Sequence, residues 1–300
     1  MNAAFLPRME RFLARPWNEK RKILTCKVNR AFDEVFSRVP IVKRFEPGFL
    51  FVVWSDAVRE AVLSDEFEKG ERKFVERFLQ PGMTVLDVGA YLGIYSLVAS
   101  LRVGAGGRVI AFEPSPRQMR KLRLNLRLNR CANVRVENLA LSSTEGEAEF
   151  FVAIGGAEGF SGLRRPDVGA QVRSLRVRTA ALDNYLRERS IEAVHFIKLD
   201  VEGGELDFFK GASKLLQQPR GPVILCELQD IRAKAWGHTA RQTADFVRDF
   251  GYRWFRPLAD GMIEPVPNSP ERYEGNFVAV PRLQVGELKE MIRDGFDVST

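Results

Sequence analysis

The run Val85-Leu86-Asp87-Val88-Gly89-Ala90-Tyr91-Leu92-Gly93 limits this chain more than any other segment. Its first four residues read as a strand buried on both faces, its glycines as a tight turn, and 94–102 as the helix that follows. A strand that passes through a glycine turn into a helix is the first crossover of a parallel α/β sheet, and ligands of such sheets sit outside the carboxyl ends of the strands. Glycine removes Cβ from the turn, so a ligand can approach the backbone closely.

The alternation continues downstream. Strands are expected over 108–112, 134–139, 148–152, 194–199 and 223–228. Helices are expected from Ser115-Pro116 onward, with Met119, Leu122 and Leu126 on the buried face, and over 182–189 and 206–216. A helix near 240–250 and strands over 252–256 and 276–280 close the pattern around the turn Ala259-Asp260-Gly261. Residues 155–172 hold five glycines without periodicity and read as a loop or lid. Such alternation predicts an α/β fold, a mostly parallel sheet with helices on both faces.

Residues 1–65 read differently, as an N-terminal helical extension to a domain over 66–300. Phe5, Met9, Phe12 and Leu13 share one helical face, Leu24, Val28, Phe32, Val35 and Phe36 a second, and 49–54 is a short strand. The basic, aromatic character of 1–37 allows either docking on the chain's own domain or peripheral contact with an anionic membrane. No apolar stretch nears the ~18 residues that suggest a membrane span. Charges recur from Arg8 onward, so no signal-peptide core is present, and a cytoplasmic protein is expected. Cys26, Cys131 and Cys226 lie far apart, which fits a reducing compartment better than a disulfide framework. The net charge of +7 is spread without a block of like charge, so it reads as a solvated surface, with no nucleic-acid partner expected. Nothing in the sequence fixes an oligomeric state.

The first turn lacks the dinucleotide pattern G-x-G-x-x-G. Its spacing Asp-x-Gly-x-x-x-Gly has no glycine to seat a pyrophosphate, which argues against a nicotinamide-dependent oxidoreductase and suits a ligand without phosphates. Glu113 follows the strand Val109-Ile110-Ala111-Phe112, 20 residues beyond Gly93. A carboxylate at that point can accept hydrogen bonds from both hydroxyls of a ribose; helix capping is the alternative. Asn138 to Leu141 end the third strand, where backbone groups could read an adenine edge or simply turn the chain. The binding set is therefore Asp87, Gly89, Ala90, Tyr91, Gly93, Glu113, Asn138 and Ala140.

Taken together, Asp87-Val-Gly-Ala-Tyr-Leu-Gly93, Ala111-Phe-Glu-Pro114, Asn138-Leu-Ala-Leu141, Phe196-Ile-Lys-Leu-Asp-Val-Glu-Gly-Gly-Glu205, Val223-Ile-Leu-Cys-Glu227 and Asn276-Phe-Val-Ala-Val280 resemble the FkbM-type family of S-adenosylmethionine-dependent methyltransferases. The likeness runs from about 66 to 281. It implies a Rossmann-like class I methyltransferase fold, a seven-stranded mostly parallel sheet with its last strand antiparallel. It also implies S-adenosylmethionine as cofactor and oxygen methylation of a small-molecule or carbohydrate acceptor. Two positions depart from the family, which usually has Asn-Ile at Tyr91-Leu92 and Ala at Gly204.

Methyl transfer to a hydroxyl needs alignment and a proton acceptor. Asp200, Glu202, Glu205 and Glu227 should rim the carboxyl edge of the sheet. Asp200 and Glu202 are the principal catalytic candidates, with His238 as a further candidate base. The helix dipole offers these acids a purely structural role. Asp200, Glu202 and Glu227 could alternatively hold a magnesium ion. His195 reads as structural, and Lys198, inside the buried strand, could pair with one of these acids. A nucleic-acid methyltransferase is disfavoured because the segment Asp200-Val-Glu-Gly203 is acidic and lacks proline. A scaffold that has lost catalysis is the non-enzyme alternative, and the intact set Asp87, Gly89, Gly93 and Glu113 argues against it.

Overall fold

The computed structural model describes residues 40–45, 48–54, 59–155, 157–167, 169–267 and 272–293. The chain divides into two compact units, Met1–Val42 with Val52–Ser55, and Lys43–Phe51 with Asp56–Thr300. The helices expected over 5–13 and 24–36 lie outside the described residues. Strands β1 (Ile41–Phe45) and β2 (Phe49–Val53) pair as a two-stranded sheet of their own. Two helices follow, α1 (Arg59–Ser64) and α2 (Lys69–Phe78).

The second unit is built on β3 (Thr84–Val88), whose five residues are all buried. Helix α3 (Ile94–Val103) is apolar on nearly every side because it packs against both the sheet and α2. After β4 (Arg108–Phe112), helix α4 (Pro116–Leu128) starts with Ser115 accepting the Gln118 N–H and Pro116 in the first turn. Strands β5 (Val134–Glu137) and β6 (Ala140–Leu141) come next, then β7 (Gly146–Ile154), β8 (Gln171–Ala180) and helix α5 (Leu182–Glu188). Strand β9 (Phe196–Leu199) leads into α6 (Glu205–Gly211) and α7 (Ser213–Leu216), and β10 (Val223–Gln229) into α8 (Asp230–Ala233). Helix α9 (Ala240–Arg248) opens with a capping box between Thr239 and Gln242. Strands β11 (Tyr252–Pro257), β12 (Ile263–Pro265) and β13 (Glu274–Pro281) close the fold.

The main sheet runs β12-β11-β13-β10-β9-β3-β4-β5. Its β10-β9-β3-β4-β5 half is parallel, and β13 inserts antiparallel between β10 and β11. The seven strands of the class I pattern are present with the late strand reversed. An eighth, β12, was not expected; it pairs antiparallel with β11 at the edge. The register sets Asp87 between Ala111 and Lys198, so the turns after β3, β4 and β9 open along one edge.

A second sheet, β6-β8-β7, has its own small core of Ala140, Phe150, Val152 and Val177. The strand expected over 148–152 belongs here, not to the main sheet. The loop or lid expected over 155–172 ends two residues early. It holds a 3-10 turn at Glu158–Phe160, Gly162 bridges to Phe151, and β8 begins at Gln171. Strand β8 carries little signal of its own because Arg173, Arg176 and Arg178 interrupt its apolar residues, so that it reads as a solvated stretch. Among the described residues no helix is long and apolar enough to cross a membrane.

Candidate active site

The turn after β3 is held from both sides. The N–H groups of Gly89 and Ala90 both donate to the Phe112 carbonyl, at 3.1 and 3.0 Å. Gly89 has φ +80°, and a Cβ there would lie 1.8 Å from the carbonyl oxygen of Asp200. Gly93 has φ +87°, and its Cβ would lie 2.2 Å from Leu122 Cδ1. The space left by these missing side chains is thus filled by the protein's own atoms, where the sequence suggested room for a ligand. Between the glycines Tyr91 adopts φ +49°, a conformation that asparagine takes more readily than tyrosine. This accounts for the asparagine usual at that position.

Glu113 lies at the mouth of this turn. Its Oε2 accepts the Tyr91 N–H at 2.9 Å and its Oε1 accepts the Ser115 N–H at 2.8 Å. Burial pushes its carboxyl up to about 8 against the pull of those two hydrogen bonds. Asp87 is buried beneath, accepts from the Ser96 hydroxyl, and is pushed up by burial to about 6. Ala140 lines the cleft beside Leu139 and Leu141. Asn138 does not: its Nδ2 donates to the carbonyls of Glu113 and Pro114, at 3.0 and 2.8 Å, tying the ends of β4 and β5 together.

The acids gather at the ends of β9 and β10. Oxygens of Asp200, Glu202 and Glu227 come within 4.8 Å of one another. Two of the three already face a protein cation. Lys198 Nζ lies 3.4 Å from Asp200 Oδ2, and Arg232 Nε lies 3.0 Å from Glu202 Oε2, an ion pair without hydrogen-bond alignment. Burial and then the charge of Asp200 push both Glu202 and Glu227 upward. Lys198 and Arg232 thus already bring positive charge to two of these three carboxylates. Glu205 turns away from the cleft. Its Oε1 accepts the N–H groups of Val201 and Gly203, both at 3.2 Å, which is the capping role. His195 is structural as expected, its Nδ1 accepting the Thr84 N–H at 2.9 Å.

The loop after β10 contributes Trp236 to the cleft, and the candidate base His238 is not among the lining residues. The imidazole Nδ1 of His238 lies 3.3 Å from the Thr239 carbonyl and 3.5 Å from the Thr243 hydroxyl, at the start of α9. Trp236 Nε1 donates to the Glu202 carbonyl at 3.3 Å, and the guanidinium of Arg164 stacks on its ring at 4.5 Å. A Cβ on Gly204 would come within 2.8 Å of Trp236 Cζ2, so glycine replaces the usual alanine where this indole packs.

Lys198 pairs with an acid as its place in the strand suggests, and two further residues, Glu68 and Asn276, join it. Lys198 is buried, and burial alone would lower its ammonium; Asp200, Glu68 and Glu227 overcome that and hold it above its ordinary value. Glu68 Oε2 accepts from the Tyr95 hydroxyl at 2.6 Å, and its Oε1 accepts from Asn276 Nδ2 at 3.0 Å. Asn276 Oδ1 lies 3.4 Å from Lys198 Nζ. Lysine inside an apolar strand is the signal for Lys198; Glu68 gives none, because it precedes the recognisable motifs. The whole cleft, about 220 Å³, is walled by the 87–95 turn, Glu113, 139–141, the lid residues 158–163, the acids and Trp236, with Phe51, Val62 and Phe67 on the remaining side.

The Methyltransferase FkbM domain, as a family, matches residues 87–254 of this chain. AmbE of Pseudomonas aeruginosa, an AMB antimetabolite synthetase, is 28% identical over 208 residues, which are 58% of this chain and 10% of that protein. The 31-O-demethyl-FK506 methyltransferase FkbM of Streptomyces tacrolimicus is 29% identical over 182 residues, 51% of this chain and 68% of that protein. The 2-O-methyltransferase NoeI of Sinorhizobium fredii is 24% identical over 168 residues, 51% and 66% respectively. The chain thus spans a tenth of the first of these relatives and about two thirds of the other two.

Proposed function

Since the chain belongs to the FkbM methyltransferase family, we propose that it binds S-adenosylmethionine in this cleft and methylates a hydroxyl oxygen of a small or carbohydrate acceptor. The observation that carries the reading is Glu113, a buried carboxylate fixed at the mouth of the glycine turn.

The donor set fits the cofactor. Both Glu113 oxygens are oriented by backbone N–H groups yet keep lone pairs for ribose hydroxyls. Leu139, Ala140 and Leu141 give the apolar wall that an adenine ring needs, and the turn around Ala90 and Tyr91 borders the amino-acid end. When bound, S-adenosylmethionine supplies an electrophilic methyl carbon on a sulfonium.

Asp200 then serves as proton acceptor, since it lines the cleft, retains partial exposure and has the Lys198 ammonium beside it. An acceptor hydroxyl in contact with Asp200 passes its proton there as the oxygen takes up the methyl group. Glu202 and Glu227, both pushed toward the protonated form, offer hydrogen-bond donors to the acceptor's other oxygens. Lid residues 158–163 limit water at the reacting atoms. Lys198 and Arg232 face the acids and supply the positive charge of this reading. FkbM and NoeI, both named for methylation at oxygen, support a hydroxyl as the acceptor group. Isotope-labelled methyl transfer from S-adenosylmethionine into pools of glycans and hydroxylated metabolites is the direct test. Label carried into nitrogen products, or into RNA, would replace this reading.

A further inference from the structure

Helix α4 carries a second feature that methyl transfer does not use. Between Pro114 and Val136 the chain has seven cations and no acid. Leu122, Asn125 and Leu126 bury one face of α4 against the domain. The opposite face exposes Arg120, Arg123 and Arg127, with Arg130 just past its end. Among the described residues none of these four makes an ion pair.

Two leucines interrupt this basic face. Leu124 and Leu128, one turn apart, are each 42% exposed. Asn129 then binds both backbone groups of Leu50, accepting its N–H at 2.7 Å and donating to its carbonyl at 2.6 Å. Leu50, itself 38% exposed, is thus fixed at the same end of the helix. At the other end Arg117 faces Glu158 of the lid at 3.7 Å, so the basic face borders the cleft mouth.

We propose that this face of α4 docks on an anionic lipid bilayer. Unpaired arginines around exposed leucines match a surface of lipid phosphates over acyl chains: guanidinium groups pair with the headgroups while the leucines enter the interfacial layer. A nucleic acid would satisfy the arginines and leave the leucines in water. The inference is independent of the proposed methyl transfer, although docking here would present the cleft mouth to acceptors carried on lipid.

Sedimentation of the full chain with vesicles tests it, comparing phosphatidylglycerol mixed with phosphatidylcholine against phosphatidylcholine alone. The expected result is at least tenfold preference for the anionic vesicles, lost in high salt. In the full chain, Arg120→Glu/Arg123→Glu/Arg127→Glu should lower binding at least tenfold. Leu124→Gln/Leu128→Gln should lower it about threefold at unchanged salt dependence. Both variants keep the buried face intact, and circular dichroism checks their fold. Absence of pelleting with anionic vesicles overturns the proposal. So does a charge-reversed variant that still pellets fully, which would assign binding to residues such as Arg8, Arg11 and Arg15. Displacement from vesicles by an RNA oligomer at equal phosphate concentration would overturn it in favour of nucleic acid.

Discussion

The carboxylate of Glu113 accepts the backbone N–H of Tyr91 at 2.9 Å, joining the ends of β3 and β4 across the mouth of the cleft. The same carboxylate is proposed to hold the cofactor's ribose, so its protonation should govern both affinity and stability. Glu113→Gln should weaken S-adenosylmethionine binding by ~10- to 150-fold, the loss of one charge-assisted contact worth about 1.5–3 kcal/mol. The carboxyl rises from its ordinary 4.5 to about 8 in the fold. The folded state therefore holds the extra proton between those values, and stability falls as pH rises through that window. Cofactor affinity, which favours the ionised acceptor, should rise over the same range. In Glu113→Gln both slopes should flatten, read by calorimetric titration and urea denaturation from pH 5 to 9. Unchanged affinity in the variant would remove Glu113 from the cofactor site.

Tyr91 pays for its position with a left-handed backbone at φ +49°. Such a conformation costs most L residues ~1–2 kcal/mol, and asparagine less. Tyr91→Asn should stabilise the protein by ~0.5–1 kcal/mol, seen as a higher urea midpoint at constant slope. A lower midpoint would mean that the tyrosine ring contributes more through its contacts than the backbone loses.

Much of the sheet was legible because strand–turn–helix units carry their signal locally. A fully buried strand such as Thr84–Val88, followed by glycines, permits few alternatives. What stayed hidden was set by distant partners. Gly89 needs its missing side chain because Asp200, over a hundred residues later, places a carbonyl against it. Glu68 enters the cleft through hydrogen bonds to Tyr95 and Asn276 that no local pattern encodes. His238 and Trp236 share one loop, and the packing of Trp236 against Gly204 that brings the indole to the cleft is not encoded locally.

That packing gives a third expectation. Alanine at 204 would set its Cβ about 2.8 Å from Trp236 Cζ2, too close for the indole to remain in place. Gly204→Ala should cost ~1–3 kcal/mol as an overpacked site. Trp236→Leu in the same chain should recover most of it, and a double-mutant cycle in urea isolates the coupling. Additive costs would show that the two residues do not meet.

Asp200→Asn keeps the size of the side chain and removes its capacity as a proton acceptor. Turnover should fall by about 10²- to 10⁴-fold, while the S-adenosylmethionine dissociation constant stays within about threefold, below ~0.7 kcal/mol. Single-turnover methyl transfer alongside calorimetry separates the two. Parallel loss of binding and rate would place Asp200 with the cofactor instead of the acceptor.

The place of Lys198 gives an expectation about metal. Its ammonium lies 3.4 Å from Asp200 and gains from Glu68 and Glu227 as well, so one protein cation serves the cluster that a divalent ion would otherwise neutralise. Chelation with EDTA should leave methyl transfer unchanged, and added magnesium should neither bind tightly nor accelerate the reaction. Lys198→Met leaves Asp200 beside Glu202 and Glu227 without that charge, and because Asp200 is partly exposed the loss should cost about 1.5–3 kcal/mol, less than in a fully buried pair. The variant should therefore melt lower and gain affinity for magnesium, with its melting temperature partly restored as the ion binds. Activity that disappears on chelation of the unaltered protein and returns with magnesium would reverse the assignment, making the three carboxylates a metal site and Lys198 their neighbour.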